Sequence, residues 1–234
     1  MFLMATYAER KEARMNEKVD ASAIMSDRAY NIAIGIVVLY GILINFLICA
    51  YGSDYALRLL GRVNPIILII GYLVLVFGGS FMAMKSHNPL ISFLGYNMIV
   101  LPLGLVLCIT VSGYGGIGNE VVIDAFMYTL GITLVIIGAS CLVPKLFLRM
   151  GGFLFAGLLG MIIVEIVGHL FFGSTNWTSY VIAAIFSLDI GYDVQRALLF
   201  PKTLDNAIDS AIDIYLDITN LFIRILSIIG NKDN

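Results

Sequence analysis

Residues 178–229, TSYVIAAIFSLDIGYDVQRALLFPKTLDNAIDSAIDIYLDITNLFIRILSII, decide how this chain is read. Two apolar runs, 178–199 and 207–229, flank a short polar turn, and each is long enough to cross a bilayer core of roughly 30 Å as a helix. Each also carries acids where lipid would be: Asp189 and Asp193 in FSLDIGYDVQR, Asp213 and Asp217 in IDIYLDITNLF. A carboxylate in the hydrocarbon region costs at least about 2.5 to 3.5 kcal/mol on insertion scales, so an intramembrane acid marks a functional candidate.

Upstream, the apolar pattern continues with few acids. The 234 residues are 60% hydrophobic and 13% charged, with a mean hydropathy of +0.95, outside the usual range of a soluble domain. Spans are expected near 30–51, 64–84, 90–112, 120–142 and 151–173, which with the two quoted runs makes seven. Strand-sized alternation is absent, and helices satisfy their own backbone groups in lipid. The expected fold is therefore all-α: a polytopic membrane protein built as a seven-transmembrane-helix bundle. Residues 1–29 read as a polar tail with no apolar h-region or cleavage site, residues 30–230 as the membrane domain and 231–234 as a short C-terminal tail.

Lys and Arg are kept in excess on the cytoplasmic side of a membrane. Arg10, Lys11, Arg14, Lys18, Arg28, Lys85, Lys145, Arg149, Arg196 and Lys202 fall on one side, ten residues against Arg58, Arg62, Arg224 and Lys232 on the other. The N-terminus is thus expected in the cytoplasm and, after seven crossings, the C-terminus outside, unless the acidic seventh segment is a re-entrant hairpin. A bacterial inner membrane is expected rather than a eukaryotic internal one. The sequon Asn176-Trp177-Thr178 would matter only in a eukaryotic secretory membrane.

A net charge of −2 is too small to indicate a partner, and with no basic stripe of interleaved aromatics nucleic acid is not expected as one. Cys49, Cys108 and Cys141 show no CxxC spacing and read as packing thiols. Gly152, Ala156 and Gly160 recur every fourth residue and predict a close-packing face on the fifth span. Pro102 is the proline expected to lie inside a span and to kink it.

Asp205, Asp209, Asp213 and Asp217 follow one another at steps of four and so share one helical stripe. Asp205 and Asp209 read as the wet end of that stripe, favoured by the helix dipole. Asp213 and Asp217 lie roughly 9 and 15 Å into the span, with Asp193 and Asp189 at matching depths on the antiparallel sixth span. Two carboxylates meeting across those helices would share a proton and titrate as one unit. Such a pair suits gating or proton relay, and an oxygen-rich cluster suits a hard cation such as Ca²⁺. An aspartic-protease-like dyad is disfavoured because no GxGD motif is present, and no enzyme activity or cofactor is expected. Glu165 and His169 share a face and read as a hydrogen-bonded pair rather than half a zinc site. Asp124 lies near the outer end of the fourth span, either in an outer vestibule or at the interface. Lys85 reads as a snorkelling anchor or a counter-ion for Asp193. The expected partners are the lipid bilayer, calcium ions and protons.

FSLDIGYDVQ and IYLDITNLFIRILSIIG resemble the two signature segments of the transmembrane Bax-inhibitor-motif family, a group of seven-helix proteins. The resemblance implies that Asp193 and Asp217 form a paired-aspartate site in a pH-sensitive calcium leak channel. It also implies a basic latch at the cytoplasmic end of the second span, where Lys85 stands but lacks the bidentate fork of an arginine. Asp189 and Asp213 fall outside that pattern. The alternatives are a proton-coupled transporter or intramembrane hydrolase, and a non-conducting membrane interaction protein.

Overall fold

A computed structural model describes residues 14–16, 19–172 and 176–231. Most of the predicted tail, the C-terminal residues past Asn231 and the side chain of Asn176 in the sequon lie outside the described residues. Eight α-helices are present among them, and no strand. They are α1 (Asp27–Tyr51), α2 (Ser53–Arg62), α3 (Pro65–Lys85), α4 (Pro89–Gly113), α5 (Glu120–Leu142), α6 (Pro144–Phe172), α7 (Asn176–Ala197) and α8 (Leu204–Gly230). Seven of them match the predicted segments.

The helix ends follow local chemistry. Ser26 caps α1 by accepting from the Ala29 N–H at 3.2 Å, and Asn64 caps α3 by accepting from the Ile66 N–H at 2.8 Å. Proline opens α3, α4 and α6, where its missing N–H would be unpaired in any case. Helix α6 begins seven residues before the predicted 151, because its exposed Lys145 and Arg149 end the apolar run without ending the helix. Between the first two spans, where a loop was expected, α2 is a ten-residue amphipathic helix. Its Arg58 and Arg62 exclude a span and still permit a helix. Helix α4 runs unbroken through Pro102.

Helices α1, α3, α4, α5 and α6 are long and apolar enough to cross a membrane. Their outward residues are large and apolar: Ile36, Leu39, Ile66, Phe77, Val135, Phe153 and Phe171 are all more than 60% exposed. A soluble monomer rarely shows apolar patches of more than a few hundred Å², so this surface belongs in lipid, and the protein is an integral membrane protein. Helices α7 and α8 are long enough to span but carry acids and arginines along their length. Helix α8 is one unbroken helix of 27 residues, not a re-entrant hairpin, and only Leu204 of them is exposed.

The chain divides into two compact units, residues 1–109 with 197–213, and residues 110–196 with 214–234. In the first, α3 and α4 approach so closely that a Cβ on Gly79 or Gly95 would collide with the other glycine's carbonyl oxygen. Around that contact, fully buried Tyr96 donates to the Val37 carbonyl at 2.9 Å, and fully buried Tyr30 donates to the Ala197 carbonyl at 3.0 Å. In the second unit the core is built on Val111, Val122, Ala125, Ile182, Phe186, Ile190, Leu221 and Leu226. The ring of Phe147 occupies the place a Cβ would take on Gly191.

The predicted packing face of α6 is not the one used within the chain. Gly152 and Ala156 are exposed, as is Gly160, and a Cβ on either glycine would meet nothing within 4 Å. The neighbouring face, with Phe147, Gly151 and Leu154, is turned inward, because Tyr192 of α7 lies against Gly151. Of the three free thiols Cys108 is buried, whereas Cys141 is exposed rather than packed.

Gly191→Ala forces a methyl group against the buried Phe147 ring and is expected to cost about 1–3 kcal/mol. Thermal unfolding in detergent should show a lowered melting temperature for Gly191→Ala, and an unchanged or slightly raised one for Gly152→Ala.

Candidate functional site

The acids of α7 and α8 occupy different environments. In the second unit, Asp189 and Asp193 are half-buried and lie eight and four residues before the end of α7, roughly 12 and 6 Å along the axis. Arg196 Nη1 is 3.9 Å from Asp193 Oδ1, and its guanidinium stands 5.6 Å from the centre of the Tyr192 ring. Asp217 lies thirteen residues into α8, roughly 20 Å from its start, and is 9% exposed.

Glu165 and Arg224 form an ion pair in the same unit. Arg224 Nη1 donates to Glu165 Oε1 at 2.5 Å and Nη2 to Oε2 at 2.9 Å, a bidentate fork between α6 and α8. The expected Glu165 and His169 pair is not formed, since Glu165 turns to the arginine and His169 is exposed. A permanent, planar cation that presents two N–H donors in one fork matches a carboxylate better than an imidazole does. Asp124 is exposed on α5.

In the first unit Asp205 and Asp209 are not the wet end of a stripe. Asp205 is 4% exposed and Asp209 is largely buried, and both bind one guanidinium, that of Arg14. Arg14 Nη2 donates to Asp205 Oδ2 and to the Ser86 carbonyl, and Nη1 donates to Asp209 Oδ2. The Ser92 hydroxyl donates to Asp205 Oδ1 at 2.5 Å. Burying an arginine carries a desolvation penalty of several kcal/mol, which two carboxylates and a carbonyl on one fork can offset. The helix dipole favours the acids near the start of α8, but the arginine is what permits their burial. Lys85, the expected latch, ends α3 with its side chain exposed.

Asp213 is half-buried and lines a cavity of about 20 Å³ with Arg14, Ser80, Asn206, Asp209 and Ser210. That is room for about one water. A larger cavity of about 450 Å³ is bordered by Asp20, His87, Thr203, Asp205 and Asn206. Outside the spans, the Ser22 backbone N–H and hydroxyl hold the Asp20 carboxyl below its ordinary range. Among the described residues no group of three or more His, Cys, Asp or Glu is arranged to hold a metal ion.

Arg14 and Arg224 are the residues that sequence reasoning passed over. The signal for Arg224 was present, because an arginine inside FIRILSII needs an acid partner as surely as the aspartates need a cation. For Arg14 the signal was indirect: four acids on one stripe imply a countercharge but do not say which residue supplies it.

The profile of the family described as "Inhibitor of apoptosis-promoting Bax1" matches residues 25–234, which contain all eight helices. The chain belongs to this Bax-inhibitor family. Among its relatives, the "Bax inhibitor 1" of Schizosaccharomyces pombe is 27% identical over 183 residues, covering 74% of this chain and 66% of that protein. An "Uncharacterized membrane protein" of Vibrio cholerae is 38% identical over 112 residues, 45% of this chain and 49% of that one. An "Uncharacterized protein" of Helicobacter pylori is 38% identical over 85 residues, 35% of this chain and 36% of its own length. The chain thus spans about a third of the length of the Helicobacter pylori protein it matches. Membership agrees with the resemblance read from the α7 and α8 segments.

The Glu165 and Arg224 fork is open to a double-mutant cycle. Glu165→Gln and Arg224→Gln should each destabilise the protein in detergent, and the double variant should recover a coupling energy of about 0.5–3 kcal/mol. A coupling near zero would show that the pair does not hold α6 to α8.

Proposed function

We propose that this Bax-inhibitor-family protein is a pH-sensitive cation leak, with Ca²⁺ the favoured ion, in which Asp193 and Asp217 are the proton-sharing acids. The observation that carries this reading is the burial of Asp217, 9% exposed within an unbroken α8. A carboxylate held there is stabilised by a proton or a cation, and exchange between the two is a gate. Asp193 belongs to the same compact unit, and both residues fall in the segments that resemble the family signature.

In this reading α1 and α3 to α8 are the seven spans, with α2 at the membrane surface. The N-terminus is cytoplasmic, from the Lys and Arg distribution, and the membrane is a bacterial inner membrane. The path needs no cofactor and carries out no enzymatic step. Asp189, Asp213 and Asp124 are secondary acids able to attract cations, and Glu165 is assigned a structural role through Arg224 rather than an ionic one. The family description, inhibitor of apoptosis-promoting Bax1, favours a second reading in which the protein is a non-conducting partner of other membrane proteins.

Ca²⁺ flux from liposomes containing the purified protein distinguishes the two. The wild type should leak down the gradient, faster as the pair loses its shared proton, and Asp193→Asn and Asp217→Asn should both lose the pH dependence. Flux that persists with unchanged pH dependence in both variants would overturn the site, and accumulation against the gradient would indicate a coupled transporter.

A further inference from the structure

Arg14 is the one described residue of the polar N-terminal segment that is buried, at 7% exposure, whereas Asn16 and Asp20 are exposed. Its guanidinium reaches residues far from it in sequence: Asp205 and Asp209 on the first turns of α8, and the Ser86 carbonyl past the end of α3. All belong to one compact unit. Two carboxylates one helical turn apart and a carbonyl converge on one planar fork, and Ser92 holds Asp205 from the other side. This is a built receptor for a guanidinium, occupied by the chain itself.

Two cavities of this unit border that contact. The larger is lined by Asp205 and Asn206, together with the exposed His87 and Asp20. The smaller is lined by Arg14 and Asn206, and reaches Asp209 and Asp213. Asn206 borders both, and the Arg14 bond to Asp205 joins the wall of one to the wall of the other. The guanidinium is thus tied to the walls of both, and it puts a fixed positive charge at the start of an acidic stripe. A cation moving toward Asp213 past Asp205 and Asp209 meets the repulsion of that charge.

We propose that Arg14 is a built-in plug: its guanidinium fills a site made by Asp205, Asp209 and the Ser86 carbonyl, and its withdrawal opens the acidic stripe of α8 to cations. The inhibitory role rests on the cation-leak reading, whereas the occupied guanidinium site stands without it.

Two measurements on the full-length protein test the plug. In Ca²⁺-loaded liposomes Arg14→Gln should leak on the order of tenfold faster than the wild type, as expected when charge-assisted hydrogen bonds that favour the closed form are removed. Trypsin supplies a readout independent of flux, because it cuts after Arg14 only when that side chain is free. In detergent-solubilised wild type, cleavage after Arg14 should lag behind cleavage after Lys18, and Asp205→Asn should abolish the lag while the protein still elutes as one species. Wild-type flux that Arg14→Gln leaves unchanged overturns the plug and spares the leak. Absence of flux from every variant, Arg14→Gln included, overturns the leak reading and the inhibitory role together. Cleavage after Arg14 as fast as after Lys18 in the wild type shows that the guanidinium site is empty in solution and overturns the plug by itself.

Discussion

Everything distinctive about this molecule depends on the burial of an acidic helix. Helix α8 carries aspartates at steps of four and has a single exposed residue, so each carboxylate must be matched by a cation, a hydrogen-bond donor or a proton. Asp205 and Asp209 are matched by Arg14, with Ser92 completing the shell of Asp205. Arg224, further along the same helix, is the converse case, a half-buried cation matched by the half-buried Glu165 on α6.

The other helices serve that burial by turning outward. The five apolar helices expose large side chains to lipid, and their inward faces use small residues and tyrosine hydroxyls. Gly79 and Gly95 bring α3 and α4 into backbone contact, and Gly191 admits the Phe147 ring. Tyr30 and Tyr96 spend their hydroxyls on helix carbonyls, which keeps the interior hydrogen-bonded without adding charge. Close approach in lipid is gained through van der Waals contact, because lipid tails are as apolar as leucine and exert no hydrophobic force between helices.

Legibility in the sequence followed the range of the physics involved. Helix positions were readable because apolar runs of spanning length and prolines at helix starts act locally, and the matched segments differ from the predicted ones mainly at their ends. Helix α2 was missed because a search for spans discards a ten-residue segment carrying Asp54, Arg58 and Arg62. The Gly152, Ala156 and Gly160 stripe misled because three small residues define a flat face but do not say what lies against it. Asp205 and Asp209 were read as solvated because proximity to a helix start is visible in sequence, whereas an arginine arriving from 191 residues away is not.

The sequence by itself determined that the chain is helical, that it lives in a membrane, and that α7 and α8 bear its unusual chemistry, since composition and helical period need no partner to act. What pointed to Asp193 and Asp217 among those acids was the resemblance of the two segments to the family signature. Only the tertiary structure decided which cation answers which acid. The stripe of aspartates specifies a need for positive charge, and Lys85, Arg14 and Arg224 were all available to meet it. The outcome, Arg14 on Asp205 and Asp209 and Arg224 on Glu165, was set by reach, bidentate geometry and shared burial, which exist only once the helices have packed.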